Sequence, residues 1–151
     1  MTLLRERTRT DRPLPDEAVL DDRPRGTALR VLGAAAVLVV GAVHLEQYYG
    51  VHFDVVPIIG PLFVLNFAGA AAIALGLLVF PFRWMRALLA LGGIGLAATS
   101  FVFFFISLSR PLFGFEDYGY RPATIVALAA EVAAVVLLGG YLVALWRPRR
   151  M

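Results

Sequence analysis

Four apolar stretches, at 28–49, 60–80, 86–108 and 122–146, decide what this chain can fold into. Each approaches or exceeds the roughly 20 helical residues needed to cross the hydrocarbon core of a bilayer. A soluble bundle needs a polar face on every helix. With 60 % of its 151 residues hydrophobic and only 17 % charged, this chain lacks such faces. The expected fold is all-α: an integral membrane, antiparallel four-helix bundle running up-down-up-down, because short loops make consecutive helices antiparallel neighbours.

The flanks complete the domain reading. Residues 1–27 carry charges of both signs, several prolines and few large apolar side chains, and are expected to form a disordered cytoplasmic tail with a short amphipathic turn near 15–20. That tail is too long and too acidic for a signal peptide, so the first apolar run is expected to stay as an anchor. The transmembrane domain is placed at 28–146 and a basic cytoplasmic tail at 147–151. Pro57, Gly60 and Pro61 suit a turn leading into a helix, Pro81 stops the second span, and Pro111 and Pro122 bracket the third loop. Tyr48, Tyr49, Trp84, Tyr118, Tyr120 and Trp146 fall at headgroup depth.

All 14 basic side chains are Arg, and they cluster at span ends. Arg23, Arg25 and Arg30 precede span one, Arg83 and Arg86 lie between spans two and three, and Arg147, Arg149 and Arg150 follow span four. Four crossings put these on one side, which the positive-inside rule makes the cytoplasm, with both termini there. A bacterial plasma membrane is the expected location. The +3 formal charge is therefore a topology signal rather than a nucleic-acid footprint.

Inside the spans, one carboxylate stands out. Glu131 lies nine residues into span four, roughly 13–15 Å deep. In lipid an ionised Glu must find a partner, a water-filled space or a proton. His44, Asn66 and Ser100 lie at similar depth, and an antiparallel bundle can gather all four into the outer half of the membrane. They form either one polar pocket or separate interhelical hydrogen bonds, and helix rotation decides which. Thr99 and Ser100 have a further option in their own helix carbonyls. His44 is expected to bond a neighbouring loop. The outer loops carry a second candidate contact region, Tyr48, Asp54, Arg110, Glu116, Asp117, Tyr120 and Arg121, in which 113–120 either pairs internally as a cap or meets a protein partner. Small residues thin the helix faces: Gly33 and Gly41, Gly69 and Gly76, Gly92, Gly93 and Gly95, then Ala123, Ala127, Ala130 and Ala134. Close packing between such faces replaces the hydrophobic drive that lipid removes. Phe101, Phe103, Phe104 and Phe105 face lipid or fill the outer half of the bundle.

Several chemistries are disfavoured. With no cysteine there is no disulfide, thiol nucleophile or thiolate metal site. The absence of lysine excludes Schiff-base and P-loop lysines. Ser100, Ser107 and Ser109 have no evident base. The glycines at 92–95 follow no strand, so they are not a phosphate cradle. His44 and His52 lack a metal-binding spacing, and a second embedded haem ligand is missing. No cofactor, metal or nucleic acid is expected, and an enzyme is the lesser expectation. Three functions remain. The first is a structural or accessory role beside a larger membrane complex, with lipid and a membrane-protein partner or a second copy as contacts. The second is a small oligomeric proton-coupled transporter using Glu131. The third is a binder of a lipid-soluble ligand between the helices.

The pattern His44-Leu45 followed by VPIIGPLFVLN at 56–66 resembles small four-span proteins of uncertain function from high-GC Gram-positive bacteria. The likeness covers about 25 residues of spans one and two. It implies the membrane fold and a bacterial plasma membrane, and it implies no catalytic residue or substrate.

Overall fold

The computed structural model describes residues 24–114 and 121–146. Four helices account for most of them: α1 (Pro24–Gly50), α2 (Ile59–Val79), α3 (Arg83–Ser109) and α4 (Pro122–Trp146). A single 3-10 turn, Phe53–Val55, interrupts the loop between α1 and α2. All four helices are long and apolar enough to cross a membrane. Helices are the economical solution there, because each backbone N–H and C=O finds its partner within the same segment. The chain is a multi-pass membrane protein with the expected all-α bundle.

Each boundary has a local cause. α1 starts at Pro24, four residues before the expected start, with proline in the first turn, where its missing N–H is no loss. α2 ends at Val79 because Pro81 forces the residue before it out of helical geometry, and Phe80 has ψ 131°. Proline also leaves a carbonyl without its helical donor: Leu77 O would bond the N–H of residue 81, which proline lacks. The Arg30 guanidinium donates to that oxygen instead, Nη1 to O 2.6 Å, tying α1 to the end of α2. At the same end, Arg86 Nε donates to Phe80 O at 2.6 Å, and Arg83 lies 5.3 Å over the Trp146 ring.

The helices form a ring in chain order. α1 packs on α2 and α4, α3 closes the ring against α2 and α4, and α1 barely touches α3 across the diagonal. The register is visible in the contacts. Between α2 and α3, Gly76 lies beneath Leu89, Gly69 beneath Leu96, and Asn66 meets Ser100, one number falling as the other rises. Between α1 and α4, Gly33 sits against Leu138. Buried positions on α4 step by alternating threes and fours from Thr124 through Ala127, Glu131, Ala134, Leu138 and Tyr141 to Leu145. That spacing is the seam of a left-handed antiparallel bundle. Small residues do the close packing, as expected: Gly33, Gly41, Gly76, Gly93, Ala127, Ala130 and Ala134 are buried, whereas Gly92 and Gly95 are exposed. The tightest core lies toward the α2–α3 loop, where Val37, Leu77, Leu138 and Tyr141 are almost fully enclosed. Beyond Asn66 and Ser100, toward the α1–α2 loop, the bundle opens.

Candidate functional site

The opening is a cavity of about 460 Å³ in the half of the bundle nearest the α1–α2 loop, bounded by all four helices. Its lining follows helical spacing on each wall. α1 contributes His44 and Gln47, one turn apart. α2 contributes Ile59, Leu62, Phe63 and Asn66. α4 contributes Thr124, Ala127, Leu128 and Glu131. α3 lines it from Gly95 to Ser107, with Ser100, Phe103 and Phe104 between. The four residues expected to share a depth, His44, Asn66, Ser100 and Glu131, therefore share one space. Two polar side chains that the sequence reading passed over join them. Gln47 and Thr124 are 7 % and 5 % exposed. Thr124 lies two turns before Glu131 and Gln47 one turn after His44, so each lies on the face its neighbour marks.

Glu131 is 3 % exposed, and its Oε2 is buried without a hydrogen-bond partner. Among the described residues no cation pairs with it. Thr124 Oγ1 is likewise buried and unpartnered. Asn66 donates through Nδ2 to Ser100 Oγ at 2.7 Å, which leaves its Oδ1 buried and unmatched. Ser100 is thus engaged across the α2–α3 interface, while Ser107 and Ser109 bond carbonyls of their own helix.

His44 does not bond a loop, which corrects the expectation. Its Nδ1 lies 2.8 Å from Val40 O, one turn back on α1. A carbonyl only accepts, so Nδ1 carries the hydrogen, and in the neutral ring Nε2 is left as an acceptor. Edge-on contact with Phe63, ring centroids 5.0 Å apart, fixes the imidazole plane. Phe63 in turn meets Phe53, 5.2 Å away, and Arg121 lies 5.2 Å over Phe53. The aromatic stack covers the end of the cavity beside the α1–α2 loop.

The walls differ in exposure. Lining residues on α1 and α4 are buried or half-buried, whereas Leu62, Leu65, Gly95, Thr99 and Phe103 on α2 and α3 are exposed. The cavity opens sideways between α2 and α3. Toward the α2–α3 loop it is closed by the packed core.

Among the loop candidates within the described residues, Tyr48 and Asp54 both lie close to Gly60. Tyr48 stacks edge-on with Tyr49, Asp54 lies 3.7 Å from His52, Arg110 is exposed, and Arg121 covers Phe53. Glu116, Asp117 and Tyr120, and with them the proposed internal cap, lie outside the described residues, as does the turn expected near 15–20. Of the phenylalanine patch, Phe103 and Phe104 line the cavity and Phe105 is exposed. Among the described residues no group of three His, Asp or Glu side chains is arranged to hold a metal.

No protein-family model matches the chain, and no curated protein or solved structure is detectably similar to it.

Proposed function

We propose that the protein binds a lipid-soluble molecule with a polar head, held between the helices in the outer half of a bacterial plasma membrane. One observation carries this reading: an apolar cavity of about 460 Å³ lined by a buried glutamate whose Oε2 has no hydrogen-bond partner. Ligand sites are typically apolar clefts of roughly 300–1,000 Å³ with a few polar groups that fix orientation. Buried polar groups in native proteins are normally satisfied. Glu131, Thr124 and Asn66 Oδ1 are each short of a partner that a ligand head supplies. The lateral opening between α2 and α3 gives a tail access to the lipid. The N-in, C-in orientation belongs to the same proposal and is supported by Arg25, Arg30, Arg83 and Arg86 at the end opposite the cavity. The accessory-subunit reading has no observation of its own in the fold. The transporter reading shares Glu131 but needs a path to both faces, and the inner core offers none.

Photolabelling of the full chain in lipid nanodiscs with a diazirine-bearing decyl alcohol tests the proposal. Label is expected on the cavity walls of α2 and α3. Gly95→Phe, at an exposed lining position where an added Cβ meets nothing within 4 Å, should place a bulky ring at the mouth of the opening and reduce labelling. Label distributed over lipid-facing residues and indifferent to Gly95→Phe overturns the reading.

A further inference from the structure

We infer that the ligand is a lipophilic amine whose nitrogen head pairs with Glu131. The inference rests on the cavity-binding reading and adds the chemistry of the head. Among the described residues the lining contains one acid, Glu131, and no Arg, and its other ionisable side chain is His44, whose Nδ1 bonds Val40 O. Glu131, Asn66 and His44 offer acceptors to a guest, beside the Thr124 hydroxyl, which can accept as well as donate. Asn66 has committed its amide nitrogen to Ser100 and presents Oδ1. His44 has committed its Nδ1 hydrogen to Val40 O and presents Nε2. Glu131 adds its carboxyl oxygens. Acceptors in a cavity call for donors on the guest. An alkylammonium brings three N–H donors on one atom, an alcohol brings one and a carboxylate none.

Charge points the same way. An anionic head would set like charge beside Glu131 with no Arg on the lining to offset it, in surroundings that screen charge poorly. A cationic head supplies the missing partner, and hydrogen bonds with charged partners are the stronger kind. The proton balance closes from either side: carboxyl plus free amine, or carboxylate plus ammonium, gives the same ion pair. Phe63, Phe103 and Phe104 add ring faces that favour a cation. The alkyl part lies along Leu62 and Leu65 and leaves through the gap between α2 and α3.

Competition against the diazirine probe, in nanodiscs of neutral lipid, separates the possibilities. Decylamine, decanol and decanoate have equal chains and different heads. Decylamine is expected to displace the probe at roughly ten- to a hundredfold lower concentration than decanol, the range set by a charged hydrogen bond. Glu131→Gln should erase that advantage, so that decylamine and decanol displace the probe at similar concentrations. If the probe labels the cavity but decanol or decanoate competes as well as decylamine, the amine inference fails and the binding reading stands. If Glu131→Gln retains the amine advantage, the inference also fails. If the probe never labels the cavity, both fail. The ranking in the unmodified chain is decisive even where the variant does not fold.

Discussion

Glu131 occupies a seam position of α4 whose other members are Thr124 and then Ala, Leu and Tyr side chains. A buried polar group with no partner destabilises a fold by about 1–3 kcal/mol relative to a satisfied or apolar one. Glu131→Met keeps the length of the side chain and removes the unmatched oxygens, so the variant should unfold later than the parent, by about that amount. Reversible unfolding in bicelles, without added ligand, measures it. A less stable variant would mean that Glu131 contributes to the packing rather than to a guest. At this scale much of the site was legible beforehand. A carboxylate in an apolar run draws notice by itself, and depth counting brought His44, Asn66 and Ser100 level with it. Gln47 and Thr124 were passed over because an amide near a helix end and a threonine in a first turn look like ordinary interfacial residues. Only their spacing from His44 and Glu131 sets them on the cavity face. The bond from His44 to its own helix was missed because the loop offered an equally plausible partner and the imidazole rotamer is not written in the sequence.

Between elements, contact distance is governed by glycine. A methyl group at Gly41 would lie 2.6 Å from Ala70 Cβ and 3.1 Å from Phe67 Cα, and the latter is backbone that cannot turn aside. Gly41→Val should therefore push α1 off α2 and cost about 1–3 kcal/mol, the usual scale of overpacking. Gly139→Ala serves as the contrast, since nothing lies within 4 Å of the added carbon, and it should leave stability unchanged or slightly raised. Thermal unfolding of the two variants in the same detergent compares them. A Gly41→Val variant as stable as Gly139→Ala would show that close approach at Gly41 does not limit the packing of α1 on α2. Span positions were readable from hydropathy and proline to within a few residues. Helix rotation was not, because lipid accepts an apolar side chain on any face, so the usual contrast between polar and apolar sides is weak. The alternating three-four spacing on α4 carried the information, but the alanines at 123, 127, 130 and 134 traced only its flank, and Gly92 and Gly95 turned out to be exposed.

For the whole molecule, orientation decides which leaflet can feed the cavity. Arg25, Arg30, Arg83 and Arg86 gather at one end of the bundle, against Arg110 and Arg121 at the other, where Glu46 and Asp54 also lie. Arginine bias in short flanking segments sets topology, and carboxylates contribute little to it. The Arg-rich end should therefore face the cytoplasm, which places the cavity and its gap between α2 and α3 in the outer leaflet. The chain contains no cysteine, so a single introduced thiol reports its own side. The His52 side chain is 81 % exposed in the loop between α1 and α2, and Phe82 is exposed in the loop between α2 and α3. In intact cells a membrane-impermeant maleimide should modify His52→Cys at once and Phe82→Cys only after permeabilisation. Reversed labelling would invert the protein and move the cavity to the inner leaflet, where its ligand would have to come from the cytoplasmic lipid pool. Labelling of both thiols from the same side would be incompatible with α2 as a crossing helix, and the seam of α4, the ring of four helices and the enclosed carboxyl would all need a different explanation.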